Sequence, residues 1–441
     1  MSFNNAFKNV DCVSFDPNGK PIVDVNKLVK KFLKEYPVVR YNHSFYSYVA
    51  EKGIWKKEDS IDDIRRSFAK YMEDKVGIKW GNRYKEEANE NIRIFTKSVE
   101  QMNNSDIMIC TKNAVINVES GKAYPLKNAK KYYFTTSIPV VYDPAAKCPL
   151  FREFLRQISC GDKNRMVTLI EFLGLILTQK INDVALVCVG NGANGKSVYA
   201  NICCALLGED NFTSIVLSDL TSFGTGKLPG KRLAVLSEIS PKDSKYLMTT
   251  EMKQIVTGEL MSCNEKYKPI RDFRPFAKVL VLTNHMIGLT QDSSDGVTRR
   301  FLIVPFEFNI SKKNRDINLE EKLKTEISGI LNLAIKGYKR LKKNNFIYAS
   351  QTESDRLIQD IIVQDNPFCG FVNDRIYFAP EARVLYKDLN KAYMAWKGEN
   401  DIMIDENATG AFFRRMLMPY GSFKRWRSDG KRGLQGVGLK K

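Results

Sequence analysis

Apolar residues recur along this chain with two different periods, and the change of period divides it. Over residues 25–33 and 61–72 they fall three and four apart, which predicts helices with one buried face. Short strand-like pieces follow at 107–110 and 114–118, so residues 1–145 read as mixed α/β. Tyr142-Asp143-Pro144 and Cys148-Pro149 punctuate the chain as a linker, and a helical stretch is expected from about 150 to 179. From Asp183 the pattern becomes continuous apolar runs separated by polar connections. Ala185–Val189, Leu233–Leu236, 279–282 and 301–304 are such runs, as expected for parallel strands covered on both faces. Residues 319–343 are predicted as one long helix with Leu319, Leu323, Ile327, Ile330, Leu331, Ala334 and Leu341 on its stripe. The remainder alternates short helices and strands, with a helix expected at 412–418 and a wing-like hairpin at 421–439.

Composition narrows the classes. A chain of 441 residues, 43% hydrophobic, predicts two to four cored domains. No run of about 18 apolar residues occurs, and residues 1–20 lack a signal-peptide core, so a soluble, cytoplasmic protein with no membrane partner is expected. Nine cysteines without a Cys-x-x-Cys pair, and only two histidines, His43 and His285, make a zinc site hard to build. Reduced, mostly buried thiols are the expectation. The formal charge of +19 points to a polyanionic partner, nucleic acid or an anionic membrane surface, without choosing between them.

A motif makes the choice. Gly190, Asn191, Gly192, Ala193, Asn194, Gly195, Lys196 and Ser197 fit G-x-x-x-x-G-K-[ST] at every position. The buried run Ala185–Val189 leads into it and a helix-compatible segment, 198–207, leaves it. Glycines let backbone N–H groups turn inward around phosphates, and the helix N-terminus adds partial positive charge. Lys196 would contact the β- and γ-phosphates of ATP, and the Ser197 hydroxyl would hold Mg²⁺. The bland alternative is a glycine-rich turn with a chance lysine, which ordinary composition yields about once in a hundred chains of this length.

The following strands add polar termini. The run at 233–236 ends in Ser237-Glu238, where Glu238 would orient and polarise an attacking water beside Mg²⁺. An acid usual before it is replaced by Ser237, and a plain surface glutamate is the alternative. Residues 278–282 end in Thr283-Asn284, and Asn284 can sense the γ-phosphate and hold the water. Arg299 and Arg300 precede the run at 301–304; one of them can reach a neighbouring subunit's nucleotide, although adjacent arginines are also ordinary surface residues. Residues 261–273 read as two short strands around a basic, aromatic turn. Lys266, Lys268 and Arg271 can grip phosphates there and Tyr267 can stack on a base, or the turn is merely a solvated hairpin.

In this order the features resemble the superfamily 3 helicases, and more narrowly the helicase part of phage, plasmid and poxvirus-type primase–helicases. The resemblance rests on residues 190–197, Ser237-Glu238, 253–278 with Val256-Thr257-Gly258-Glu259, Thr283-Asn284-His285 and 295–300. More softly, 113–124 and the Pro144 and Pro149 segments resemble that family's N-terminal helicase-associated domain, 321–341 its post-motor helix, and the end of the chain its winged-helix module. Roughly residues 90–441 are covered. The resemblance implies an AAA+-like P-loop core in a hexameric ring, with Lys196, Ser197, Glu238 and Asn284 acting in cis and Arg299 or Arg300 in trans. Hairpins around 266–268 would line a central channel and track one strand, 3′ to 5′. No primase domain is evident, so a separate primase or polymerase is implied where priming is needed.

The expected organisation is therefore α/β: an N-terminal domain at 1–145, an ATPase core at 146–310, a helical lid at 311–346 and a basic winged-helix-like domain at 347–441. In the last, Arg414, Arg415, Lys424, Arg425 and Arg427, with Lys431, Arg432, Lys440 and Lys441, face only Asp429 and are interleaved with aromatics. Such a module could bind duplex DNA through phosphates and place a helix in the major groove; a non-specific clamp or a protein-docking domain is the equal alternative. The expected function is an ATP-dependent replicative DNA helicase acting on single-stranded and forked DNA, with origin duplex added if the tail reads sequence. The rivals are an ATP-switched origin-binding protein without strand separation and a scaffold ATPase with no DNA partner.

Overall fold

The computed structural model describes residues 11–18, 20–77, 79–220, 224–237, 239, 247, 249–263, 271–287, 299–309, 316–365, 367–400, 402, 409–418, 420–428 and 430–440. It is a mixed α/β structure of helices and several sheets. Strands β1 (Val13–Phe15) and β2 (Pro21–Val23) form a small hairpin before helix α1 (Val25–Glu35). Asp24 caps α1 by accepting from the Lys27 amide, and Val25, Leu28, Val29 and Phe32 make its buried face. Strands β3 (Val38–Tyr41), β4 (Ser44–Val49) and β5 (Ile54–Lys57) are antiparallel, and β6 (Lys97–Ser98) adds to β3 in parallel. Between them α2 (Ile61–Val76), opened by a Ser60–Asp63 capping box, and α3 (Lys85–Phe95) pack with α1 around Phe32, Phe68, Met72 and Ile92.

A three-stranded meander follows: β7 (Met108–Cys110), β8 (Ala114–Asn117) and β9 (Ala123–Pro125). Its Ile109 and Ile116, with Val118, Ile138 and Val140, belong to the same apolar cluster as the helices that come next. Packing thus runs continuously across residue 145. The helical stretch expected at 150–179 is two helices, α4 (Pro149–Ile158) and α5 (Lys163–Ile176). Cys160 and Gly161 adopt positive φ, 50° and 77°, and end the first helix after its apolar face is spent.

The central sheet is built from β10 (Ala185–Val189), β11 (Phe212–Ser214), β12 (Leu233–Leu236), β15 (Lys278–Thr283) and β16 (Phe301–Pro305). All pairings are parallel, in the order β11-β12-β15-β10-β16. One face packs on α5 and α6 (Lys196–Leu207), the other on α7 (Thr250–Thr257) and later helices, which is why β10, β12 and the middles of β15 and β16 are apolar, while the edge strand β11 carries Thr213 and Ser214. Strands β13 (Met261–Cys263) and β14 (Arg271–Phe273) form a separate antiparallel pair. At the N-terminal edge of the sheet, two buried cations close the end of α5. The Arg232 guanidinium donates to Leu177 O at 2.5 Å and the Lys278 amine to Thr178 O. These are carbonyls a helix end leaves without partners. Burial lowers both pKa values, Arg232 to about 10 and Lys278 well below the usual lysine range.

The expected single helix at 319–343 is interrupted. Helix α8 (Leu319–Thr325) and α9 (Ile327–Lys343) meet at Glu326, with φ −91° and ψ 12°. The Glu326 carboxylate accepts from the amides of Leu150 and Phe151 at 3.1 and 2.9 Å, capping α4 from across the fold. Helix α9 crosses α5 so closely that a Cβ on Gly337 would lie 2.2 Å from Ile170 O, and one on Gly174 2.3 Å from Tyr338 N.

Helix α10 (Gln351–Asp365) still belongs to the central sheet: Ser354 Oγ accepts from Ile303 N at 2.8 Å, and Ile358 and Ile361 enter its core. A distinct aromatic core begins at Phe368. It gathers α11 (Pro367–Arg375), β17 (Ile376–Leu385), α12 (Tyr386–Glu399), α13 (Gly410–Leu417), β18 (Lys424–Ser428) and β19 (Lys431–Leu439) around Phe371, Trp396, Phe413 and Leu434. The sheet order is β17-β19-β18, all antiparallel. The hairpin expected at 421–439 is present as β18 and β19, with β17 as a third strand. The nine cysteines are free, and all but Cys160 and Cys204 are buried. Among the described residues no helix is long and apolar enough to cross a membrane.

Candidate functional site

Strand β10 ends at Val189 inside the sheet, and the chain turns back over the strand ends before α6 begins at Lys196. The turn needs residues that tolerate left-handed backbone: Ala193 has φ 60° and Gly195 φ 87°. Gly190 is required by contact, since a Cβ there would lie 2.2 Å from Phe306 O. Gly190 N donates to Thr283 O at 3.2 Å, and Asn194 Nδ2 to Phe306 O at 2.9 Å, so the loop is tied to the ends of both β15 and β16.

Lys196 is 6% exposed, and its amine curls into the loop. It donates to Gly190 O, to Asn194 Oδ1 at 3.0 Å and to Asn284 Oδ1 at 3.2 Å. These acceptors are all neutral, and burial lowers the ammonium's pKa from its ordinary value. Asn284 follows β15 directly; Thr283 Oγ1 steadies its turn by accepting from His285 N and donating to His285 O. The predicted loop and the predicted polar terminus therefore meet, Lys196 to Asn284, across neighbouring strands.

A cavity of about 950 Å³ opens over the loop, bounded by residues 192–198, Asn284, Phe308, Asp316 and Leu319. Its far wall is α4, through Leu150, Glu153, Phe154 and Gln157. Glu153 is held at about pKa 2 by the Arg156 guanidinium and by Gln157, so it is anionic. A second space of about 410 Å³ shares Lys196, Ser197 and Asn284 and reaches Ser237 at the end of β12. Sequence reading missed Asn194 as the tie to β16, and missed α4 and Asp316 as walls. The spacing of Leu150 and Phe154 was the available signal, and a core stripe explains that spacing equally well.

The other candidates lie elsewhere. Arg299 and Arg300 precede β16, and Arg300 O accepts from Ala185 N, so both stand at the edge of the sheet opposite the loop. The Arg300 Nε is buried without a partner. Glu238, Lys266, Tyr267 and Lys268 fall outside the described residues, and Arg271 is described only as backbone of β14. In the C-terminal unit Arg414 lies against Tyr386, its guanidinium 5.9 Å from the ring centroid and 3.1 Å from the hydroxyl. Arg415, Lys424, Arg425 and Arg427 are exposed, the last three along β18. Of these five, Arg414 is the half-buried one, held against its aromatic neighbour.

Two stretches match known families: residues 27–160 match "D5 N terminal like", and residues 188–300 match a "Family of unknown function (DUF5906)". The fold is that of the NrS-1 C terminal region. One apo structure of that region covers 94% of this chain and 99% of its own, with a TM-score of 0.59 and 14% identity. Its A form covers 93% and 99%, with a TM-score of 0.57 and 14% identity.

Proposed function

We propose that this chain is an ATP-driven DNA helicase of the superfamily 3 type, with an AAA+-like P-loop core and a winged-helix-like C-terminal domain. The observation that carries the reading is the buried Lys196 amine, folded into a glycine loop beside Asn284 at the C-terminal edge of a parallel sheet. The site fits ATP: Gly190 leaves no room for a Cβ, the lysine faces no carboxylate at its hydrogen bonds, and the cavity beside it offers Leu150, Phe154 and Leu319 to a base, with Glu153, Gln157 and Asp316 as polar neighbours. It fits Mg²⁺ held by the Ser197 hydroxyl together with phosphate oxygens, the usual arrangement for that ion, which seldom needs a protein cage. When bound, Mg²⁺ supplies charge neutralisation on the phosphates.

The chain's own residues divide the remaining work. Lys196 exchanges its neutral acceptors for phosphate oxygens, Asn284 orients the attacking water, and Glu238 polarises it. Arg299 and Arg300, at the far edge of the sheet, serve the site of a second copy in a ring, most simply a hexamer. Single-stranded DNA is gripped by Lys266, Tyr267, Lys268 and Arg271, and duplex by Arg415, Lys424, Arg425 and Arg427 on the C-terminal hairpin. The D5 N terminal like match supports a replication role. The test is ATP-dependent unwinding of a forked duplex, wild type beside Lys196→Ala, with tails of each polarity. Unwinding lost in the variant supports the motor. Hydrolysis and DNA binding without unwinding would favour an ATP-switched origin-binding protein.

A further inference from the structure

The four-stranded sheet of the N-terminal region has two unlike faces. Register puts Val39, Tyr46 and Lys57 side by side, Tyr48 beside Trp55, and Val39 beside Lys97. Side chains alternate along strands, so these residues share one face with Tyr41. The opposite face, through Val38 and Phe45, is covered by α1–α3. Among the described residues no α-helix covers the first face; a short 3-10 turn, Leu126–Tyr132, with Met102 and Tyr133, covers its Val39 and Trp55. Its tyrosines are only half-buried, and the ring centroids of Tyr41 and Tyr46 are 6.4 Å apart, those of Tyr48 and Trp55 5.2 Å.

A lysine-bearing turn is fastened along this face. The Trp55 indole N–H donates to Lys130 O at 3.1 Å, and the Trp55 amide to Phe134 O at 2.6 Å. Lys130 Nζ then lies 5.9 Å from the Tyr48 ring centroid. The turn and sheet enclose a cavity of about 470 Å³ lined by Trp55, Tyr133, Lys97, Lys127, Lys130 and Lys131, with no carboxylate in its lining. All four lysines are exposed. Adjacent like charges repel, and no carboxylate in the lining offsets them, so the arrangement suits an anion brought from outside. Tyr48 lies beside Lys130, and Tyr46 and Tyr41 continue the same face away from the lysines; a strand of unpaired bases requires both parts, a flat π-surface for each base and a cation for each phosphate.

We propose that this face binds single-stranded nucleic acid, with bases on Tyr41, Tyr46 and Tyr48 and phosphates on Lys97, Lys127, Lys130 and Lys131. The site is separate from the glycine loop and from the hairpins considered above, and it does not depend on nucleotide binding by Lys196.

The experiment uses the full chain without ATP, a fluorescein-labelled 20-nucleotide oligo-dT, and anisotropy from 50 to 300 mM NaCl. Replacing all four lysines by alanine should weaken binding at least tenfold and lower the slope of log affinity against log salt by about 2–3, since each single-strand phosphate contact contributes about 0.7. Tyr46→Leu should weaken binding and leave the slope unchanged. Replacing the four lysines by arginine should restore both affinity and slope. Unchanged affinity and slope in the alanine variant would overturn the proposal. So would an equal loss on a blunt 20-base-pair duplex, which assigns the lysines to bulk electrostatics. Loss of dTTP binding with oligo-dT binding intact would overturn it in favour of a free-nucleotide pocket. With ATP absent throughout, failure here is distinct from failure of the ATPase reading.

Discussion

Replacing Lys196 by methionine keeps the length of the side chain and removes its charge, which separates folding from ligand binding at one position. In the fold the amine donates only to neutral acceptors, Gly190 O, Asn191 O, Asn194 Oδ1 and Asn284 Oδ1, and burial opposes its charge. Losing those hydrogen bonds and losing the cost of a buried ammonium act in opposite directions, so the melting temperature should change by no more than about 2–4 °C, the equivalent of about 1 kcal/mol. Binding is a different matter. A lysine about 4 Å from a phosphate, at an effective dielectric of about 20, is worth about 4 kcal/mol per unit charge. Surrendering the acceptors in the loop returns about 1 kcal/mol, leaving about 3 kcal/mol, or a roughly hundredfold weaker affinity for ATP. Calorimetric titration with ATP and Mg²⁺ measures the affinity. Thermal melting with ATP at about 100 times the wild-type Kd should stabilise the wild type by about 2.7 kcal/mol and the variant hardly at all. An equal ATP-induced shift in both proteins would refute the assignment, since no other described cation lines the cavity at the loop.

Three further perturbations probe the fold around this site. Glu326→Ala removes the cap on two α4 amides and should cost about 1–2 kcal/mol in urea unfolding, with weaker ATP binding because α4 walls the cavity; unchanged stability would dismiss the cap. Gly337→Ala forces a methyl against Ile170 O and should cost at least about 1–3 kcal/mol, whereas Gly398→Ala, with nothing within 4 Å, should gain about 0.4–1 kcal/mol; equal effects would deny the close helix crossing. Lys278 has its folded pKa depressed well below that of an unfolded lysine, so between the two values the unfolded chain binds more protons and stability rises with pH. Lys278→Met should flatten that rise across the alkaline window below about pH 10.4, and an unaltered slope in pH-dependent unfolding would contradict it.

Strands β10, β12, β15 and β16 were legible because both faces of the sheet are covered, so nearly every position is apolar, whereas the short edge strand β11, Phe212-Thr213-Ser214, carries no such run and was not legible. The glycine loop was legible because its backbone demands, Gly190 by contact and Gly195 by φ, restrict the residue types allowed. Interruptions were harder. Glu326 sits on a good helical stripe, and only a partner 175 positions away explains the break. Strand β17 carries Pro380 and a register shift between Phe378 and Arg383, features that argue against a strand in a local window. Arg232 and Lys278 look like polar strand ends, yet both are buried, because the carbonyls they satisfy belong to the turn that ends α5, more than fifty residues earlier. The lysines at 127–131 carry no local signal of a site, and their relation to Tyr48 and Trp55 exists only once the sheet is assembled.

The carboxylate that caps α4 also imposes an order on synthesis. Helix α4 and the glycine loop leave the ribosome early, but Glu326 follows Phe151 by 175 positions. At about 5–20 residues per second that interval is roughly 10–35 s, during which α4 has its apolar stripe and no clamp at its N-terminus. The wall of the cavity is therefore among the last parts of the central region to be seated, although the lysine it faces is among the first to emerge. A nascent chain holding residues 150–207 without Glu326 carries the loop and lacks its enclosure. If the site holds ATP as proposed, tight nucleotide retention would require that translation has passed Glu326, so a stalled chain ending before it would bind ATP more weakly than a finished one.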